Sequence, residues 1–217
     1  MRLRGNNMKI IDISQKIHSE MTVYSGDPHF HSHPCSSFKQ GDMCEVSELT
    51  IGSHCGTHAD APLHMIPGGA PLESMPLDCY IGPCRVLTFK TDIITEKMLA
   101  EHRILEGERI LLRTDPTGAY ASRPGRFNPA VLSLRAAEYL AQQRVKLVGI
   151  DSPTVENMET GDGAVHRALL NAGIAILEGL CLAQVTEENY FLSALPLSLP
   201  GENGSPCRAV LVKDMKC

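Results

Sequence analysis

The eleven residues HCGTHADAPLH, from His54 to His64, constrain the fold more than any other part of the chain. They hold three imidazoles and one carboxylate, a combination that an ordinary buried helix or strand does not accommodate. The i, i+4 spacing of His54 and His58 would place both rings on one face of a helix. Gly56 and Pro62 argue against a helix, since glycine permits a bend with positive φ and proline stiffens the exit. The segment is therefore predicted to be a tight loop that follows a strand and aims its side chains at one point.

The composition of this loop suits a divalent metal. His54, His58 and Asp60 offer the nitrogen and oxygen donors that Zn²⁺ or Mn²⁺ accept, and three protein ligands leave a position open for water. The side chain of Cys55 would point away from its neighbours on an extended segment, so it is not predicted to be a ligand. The alternative is a hydrogen-bonded structural cluster without a metal. The density of histidines favours the metal site.

Length and composition set the outer limits. The chain has 217 residues, 43% of them hydrophobic, which suits one globular domain with its own core. A net charge of -5 without a Lys/Arg cluster argues against nucleic-acid or membrane partners. No apolar run is long enough to span a bilayer, and the polar N-terminus lacks the apolar core of a signal peptide. The eight cysteines contain no CxxC pair, so a cytoplasmic protein without a disulfide framework is predicted.

Hydrophobic patterning predicts more strands than helices. The predicted strands are Met8–Ser14, Cys44–Gly52 (half-buried), Cys84–Lys90, Arg109–Thr114, Lys146–Asp151, Ile174–Leu180, Tyr190–Leu199 and Cys207–Val212. The predicted helices are Thr95–Ile104, Ser133–Gln143 and Gly163–Gly173, and residues 115–128 are predicted to be loop. Residues 1–217 are thus expected to form a single α/β domain, with a mixed sheet or curled β barrel flanked by about three helices.

Beyond these patterns, the motif resembles the HxGTHxDxPxH signature of the metal-dependent cyclase-like hydrolases. The stretch YSGDPHF, Tyr24–Phe30, resembles the YPGDP segment of that family, and Leu147–Glu156 resembles its GxD segment. His166–Leu180 resembles its His-x-x-Leu-Leu and Glu-Asn-Leu region, although Gly179 stands where the family often has Asn. These elements occur in family order across most of the chain. The resemblance implies the swivelling β/β/α fold of the family and a homodimer or larger homo-oligomer.

The resemblance also implies roles for individual residues. His64 would act as general acid and base, and a bridging carboxylate would allow two Zn²⁺ per chain, with Mn²⁺ possible instead. The implied metal ligands are His54, His58, Asp60, His166 and Glu178. Without the resemblance, His166 is an ordinary helix residue, whereas Glu178 is a carboxylate at the end of an apolar run and needs a partner.

The activity implied is hydrolysis of a small amide by an arylformamidase, which cleaves N-formylkynurenine to kynurenine and formate. A metal ion lowers the pKa of bound water to about 7. The resulting hydroxide would attack the carbonyl carbon, the metal would stabilise the oxyanion, and His64 would carry the proton to the leaving amine.

Two alternatives stay open. One is a hydrolase or cyclase of the same family that acts on a cyclic amide, ester or lactone, as an isatin hydrolase does, with a single Mn²⁺. His166 and Glu178 together favour two ions and the formamidase. The other is a non-catalytic metal-binding protein, against which the spare histidine, His64, argues.

A second histidine-rich stretch, HFHSHP, precedes the motif. His29, His31 and His33 alternate along an extended segment and would share one face. This face is predicted to be a polar surface or the rim of a pocket, in preference to a direct substrate contact or a separate metal site.

Overall fold

A computed structural model describes residues 8–24, 26–114, 130–157 and 161–213. The strands in this part of the chain are β1 Lys9–Asp12, β2 His31–Ser36, β3 Val46–Thr50, β4 His58–Asp60, β5 Ile81–Thr88, β6 Ile93–Ile94, β7 Arg109–Arg113, β8 Val131–Leu132, β9 Leu147–Ile150, β10 Ala175–Glu178, β11 Asn189–Ser193, β12 Gly204–Pro206 and β13 Val210–Lys213. The α-helices are α1 Pro62–Met65, α2 Glu96–Ala100, α3 Leu134–Gln142 and α4 Ala164–Asn171. The predicted loop at residues 115–128 lies outside the described residues. None of the helices described is both long enough and apolar enough for a membrane span.

Nine strands form one mixed sheet in the order β1-β13-β11-β5-β7-β9-β10-β4-β12. The four central strands β5, β7, β9 and β10 run parallel to one another, whereas the outer pairs are antiparallel. The sheet curls, because Ser14, just after β1, forms a bridge with Leu180, just after β10, although β10 is the seventh strand of the order. The backbone N–H of Cys181 also donates to the carbonyl of Ile13 at 2.8 Å. The predicted mixed, curled sheet is therefore confirmed.

Both faces of the parallel strands are covered. Along β7, Ile110 and Leu112 belong to the core beneath α3 and α4, whereas Leu111 belongs to the core on the opposite face. Strands buried on both sides are expected to be continuous apolar runs, which is the pattern that predicted β7, β9 and β10. Helix α3 begins and helix α4 ends as predicted: the Ser133 hydroxyl caps α3 by accepting from the N–H of Ala136, and Gly173, with φ of 73°, follows the end of α4.

Two differences from the sequence prediction concern the burial of a strand and the number of helices. The first is β3, which was predicted to be half-buried but is exposed along its whole length. Among the described strands it pairs only with β2, and Glu48 lies opposite His33 in this hairpin. The alternating pattern therefore predicted a strand correctly, but no described element covers its apolar side chains. The second is the number of described helices, four instead of about three, because the histidine motif ends in the short helix α1.

Candidate metal centre

The histidine motif folds as a turn, a strand and one turn of helix. Gly56 adopts a positive φ of 65°, which bends the chain after His54 as predicted. The residues that follow, His58–Asp60, form β4 and not a loop, because β10 and β12 pair with it on both sides. Pro62 then occupies the first turn of α1, where a proline lacks no needed N–H.

The register of the sheet brings distant residues to the motif. In the antiparallel pair β4–β10, His58 lies directly opposite Glu178, and Asp60 lies opposite Ile176. Side chains two apart on a strand share a face, so His58, Asp60 and Glu178 project to the same side. Ala59 between them points into the apolar core of the other face and is fully buried. The charge at the end of the apolar run of β10 is thus explained by its cross-strand partner.

Asp60 lies at the centre of the cluster and is fully buried. Its Oδ1 is 2.9 Å from Nδ1 of His54 and 3.5 Å from Nε2 of His58. Its Oδ2 is buried without a hydrogen-bond partner among the described residues, and Nε2 of His166 lies 3.9 Å from it. A buried carboxylate oxygen without a donor is costly, so this atom indicates a missing cation.

Glu178 is the second buried carboxylate of the cluster. Its Oε2 lies 3.3 Å from Nε2 of His58, and its Oε1 lies 3.1 Å from Nε2 of His166. The backbone N–H of Val155 donates to Oε1 at 2.7 Å. Two groups of potential metal donors result, and both contain Asp60: His54, Asp60 and His64 in one, and His58, Asp60 and Glu178 in the other.

Each of the three cluster histidines faces oxygen atoms with both ring nitrogens. The outer nitrogens meet three acceptors at 2.8, 2.9 and 3.0 Å: Oδ1 of Asn203 for His54, the carbonyl of Gly56 for His58, and Oε2 of Glu156 for His166. The inner nitrogens face the carboxylates of Asp60 and Glu178. A neutral imidazole has a single N–H, so when the outer nitrogen donates, the inner one presents a lone pair towards a carboxylate. Lone pairs and carboxylates that converge in this way fit a divalent metal ion.

Glu156 was not predicted from the sequence, although it is buried and contacts the outer nitrogen of His166. It accepts from Nδ1 of His166 at 3.0 Å and from the backbone N–H groups of Gly163 and Val165 at 3.1 Å each, at the start of α4. Burial raises the pKa of Glu156, but its hydrogen bonds with His166 outweigh that effect and lower it. In sequence Glu156 lies well before the start of α4 at Ala164, so no local pattern links it to His166.

Protons take up part of the charge when no metal is present. Burial would lower the pKa of His58, but the hydrogen bond to Glu178 and the charges of Asp60 and Glu178 raise it to about 9. Burial would also lower the pKa of His166, but its hydrogen bonds to the carboxylates of Glu156 and Glu178 outweigh burial and raise this pKa to about 10. For Glu178, burial is overcome by His166 and His58, which hold its pKa well below the usual range.

His64 lies beside the cluster but outside the carboxylate network. Its ring centroid is 3.9 Å from that of His54 and 5.9 Å from that of His166. Burial, together with the charges of His54 and His166, lowers its pKa despite the opposing charge of Asp60. His64 is therefore neutral at pH 7 and able to accept a proton, and it is also close enough to His54 and Asp60 to be a donor in the first group.

Thr57 and Gly179 hold the motif against the start of the chain. The Thr57 hydroxyl donates to the carbonyl of Gly179 at 2.5 Å and accepts from the N–H of Gln15 at 2.8 Å. Gly179 has a φ of 65°, and a Cβ there would lie 2.4 Å from the carbonyl oxygen of Gly56. Glycine at this position is therefore required by the backbone of the histidine loop, whatever residue relatives carry.

A cavity of about 220 Å³ opens over the cluster. This volume is somewhat smaller than the usual pocket for a drug-sized ligand. Its described lining residues are Tyr24, Asp27, His54, His58, His64, Met65, Thr154, His166 and Glu178. Among the described residues, His29, His31 and His33 do not line it: they are exposed, the last two on the β2–β3 hairpin.

The chain is similar in sequence to known hydrolases over nearly its whole length. Residues 11–157 match the Cyclase family model, described as "Putative cyclase". The chain is 34% identical to the kynurenine formamidase of Bacillus anthracis over 206 residues, which cover 94% of this chain and 97% of that protein. It is 35% identical to the kynurenine formamidase of Bacillus mycoides strain KBAB4, with 93% and 96% covered.

Solved structures share the fold. A "potential metal-dependent hydrolase with cyclase activity" superposes with a TM-score of 0.83 at 33% identity and covers 97% of this chain and 100% of its own. A "predicted metal-dependent hydrolase" from Bacillus stearothermophilus gives 0.81 at 33% identity, with 94% and 98% covered. Isatin hydrolase A from Labrenzia aggregata gives 0.82 at 23% identity, with 95% and 94% covered, which is a likeness of fold.

The raised histidine pKa values predict that metal binding depends on pH. Because His58 and His166 hold protons up to about pH 9 and 10, a metal ion must displace them on binding. The apparent affinity should therefore rise as the pH increases from 6 to 9. Competition of the metal-free protein with a chelator of known affinity measures this dependence, and a flat profile would contradict it.

Replacement of Glu156 tests its support of His166. Glu156→Gln should weaken binding of the metal by about 10- to 100-fold, the usual effect of losing a carboxylate that orients a ligating imidazole. Asp162→Asn is a matched control, since Asp162 accepts from the N–H of Ala164 at the same helix start but has no recorded contact with His166. Equal losses in the two variants would show that Glu156 only caps the helix.

Proposed function

The chain belongs to the cyclase family of hydrolases, and from this membership we propose that it is a metal-dependent arylformamidase. It would cleave N-formylkynurenine to kynurenine and formate. The observation that carries the proposal is the convergence of three inner imidazole nitrogens on the buried carboxylates of Asp60 and Glu178 at the base of an open cavity. The substrate is proposed from the similarity to kynurenine formamidases, which share about a third of their residues with this chain over nearly their full length.

The proposed metal ligands are those that the resemblance implied. The membership of Asp60 in both donor groups supports its proposed role as a ligand shared by two ions. A bound divalent metal polarises the substrate carbonyl and provides a water nucleophile at neutral pH. We propose Zn²⁺, two ions per chain, with Mn²⁺ as the alternative. The full set of ligands is His54, His58, Asp60, His166 and Glu178.

His64 is proposed to move the proton. It is neutral at pH 7, lies against the ring of His54, and lines the same cavity, so it can accept a proton from water and donate it to the amine nitrogen as the C–N bond breaks. Its position on α1, one turn beyond β4, keeps it near the reacting atoms without requiring that it bind metal.

A second candidate function is hydrolysis of a cyclic amide, ester or lactone. Its support is the fold shared with isatin hydrolases, at 23% identity or less in the structures compared, and so it is weaker than the support for the formamidase. A non-catalytic metal-binding protein would have no use for a cavity beside the donor groups or for a neutral histidine in its wall.

The exposed β2–β3 hairpin supports a further proposal, that the chain acts as a homodimer or larger homo-oligomer. An isolated two-stranded hairpin is marginally stable in water, and this one pairs with no other described strand. Contact with a second copy would cover it. We also propose that the protein is cytoplasmic, as the sequence predicts.

Metal removal tests the proposed function directly. Chelation should abolish hydrolysis of N-formylkynurenine, and Zn²⁺ or Mn²⁺ should restore it, with close to two metals per chain at saturation. Glu178→Gln should lower both metal content and rate. Isatin and a simple lactone, assayed in parallel, identify the second candidate if they are the better substrates. Full activity in a verified metal-free preparation would contradict the mechanism.

His64→Ala and His58→Ala separate the proton carrier from a metal ligand. His64→Ala should keep its metal and lose about 10²- to 10⁴-fold in kcat on an amide, the usual range for general acid–base catalysis. The loss should be smaller on an activated ester, whose leaving group needs no proton. His58→Ala should lose metal and activity together. A metal-depleted His64→Ala, or one with the wild-type rate on the amide, would disprove the assignment.

A further inference from the structure

A tight turn places an aromatic ring and a carboxylate in the wall of the cavity. The backbone N–H of Asp27 donates to the carbonyl of Tyr24 at 3.0 Å, and Gly26 within the turn has a φ of 97°, which favours glycine. The side chains of Tyr24 and Asp27 both line the cavity. The turn thus contributes one apolar surface and one negative charge at positions fixed by the backbone.

Asp27 differs from the other carboxylates around the cavity. Asp60 and Glu178 are buried and surrounded by histidine nitrogens. Asp27 is exposed, and its carboxylate takes part in no recorded hydrogen bond or ion pair among the described residues. The charge of Asp27 nevertheless acts on neighbouring side chains, because it contributes to the raised pKa values of Tyr24 and of the Cys55 thiol. Asp27 is therefore a negative charge at the open end of the cavity that the metal cluster does not use.

Tyr24 provides the neighbouring surface. Burial is the main cause that raises its pKa, and the charge of Glu178 adds to it, so the phenol is uncharged and Asp27 is the charge of the turn. The hydroxyl end is buried near Thr154, and Tyr24 lines the cavity together with Asp27. An aromatic ring beside a carboxylate is a combination that binds primary ammonium groups.

We propose that Tyr24 and Asp27 form a binding site for the primary ammonium group of the substrate, with Asp27 as a specificity-determining residue. This inference rests on the proposed function, in which the formamide is held at the metal cluster. In an aryl formamide such as N-formylkynurenine the ammonium group lies at the far end of the side chain from the formamide. Asp27 would pair with it at the mouth of the cavity and would favour cationic over neutral aryl formamides.

Ligand binding tests the site without reliance on turnover. Kynuramine and 2′-aminopropiophenone, whose amine is on the aromatic ring, differ only by the ammonium group, and neither has a carboxylate. In calorimetric titrations of the metal-loaded protein, kynuramine should bind about 10- to 100-fold more tightly, the range of a hydrogen bond to a charged group. Asp27→Asn should remove this preference. Glu101→Gln, an equal charge change at an exposed residue outside the cavity, should retain it.

Kinetics with the two N-formylated ligands complete the test. For Asp27→Asn, kcat/KM on the aryl formamide N-formylkynuramine should fall about 10- to 100-fold, mainly through KM, while that on 2′-formamidopropiophenone stays within about 2-fold. Equal effects of Asp27→Asn on both ligands, or none on either, would overturn the ammonium site. If no formamide is hydrolysed but the Asp27-dependent preference in binding is present, the proposed function is wrong and the ammonium site stands.

Discussion

The structure of the site depends on the burial of two carboxylates, Asp60 and Glu178, among imidazole nitrogens. Ionised carboxylates in a sheet interior are strongly destabilising unless positive charge or hydrogen-bond donors surround them. Here the donors are limited, because each neutral imidazole has one N–H and the outer acceptors compete for it. The arrangement is therefore satisfied only by added positive charge, either protons on His58 and His166 or a metal ion.

Sheet register delivers these groups more precisely than the motif alone could. His58 and Glu178 are 120 residues apart in sequence yet are direct cross-strand partners between β4 and β10. β10 belongs to the parallel set, so Glu178 lies at its carboxyl end, the edge where open α/β sheets place their ligands. Helix α4, which follows β9, places His166 at the same edge. There Glu156 accepts hydrogen bonds from the ring of His166 and from the backbone N–H of Val165 in the first turn of α4.

How much the sequence predicts depends on whether the signal is local. The β strands of the parallel set and the helices α3 and α4 follow from apolar runs, caps and a terminal glycine, all of which lie within a few residues. The ligand set near His54 follows from spacing in the same way. His166 and Glu178 were reached only through a family resemblance, and Glu156 and Asn203 were not reached at all. Their roles depend on strand register and on the docking of α4, which no local pattern encodes.

The β3 strand shows the complementary limit. Its alternation of polar and apolar residues is correct for a strand, but alternation cannot say what covers the apolar face. Burial was expected within the chain, whereas Leu49 and Ile51, which share one face, are exposed in it. A neighbouring molecule could equally cover such a face, and this is the reason that the hairpin supports the proposed homo-oligomer.

Protons and metal are interchangeable charges in this centre, and this has a structural consequence. In the metal-free protein the raised pKa values of His58 and His166 keep positive charge against Asp60 and Glu178, so the donors already converge. The sheet register and the outer acceptors hold the rings in place independently of the ion. Metal binding therefore exchanges one positive charge for another within a preformed framework, and pH acts on loading of the site more than on its assembly. Beside this framework, the exposed carboxylate of Asp27 makes no hydrogen bond or ion pair with another described residue, so it stays available to the substrate.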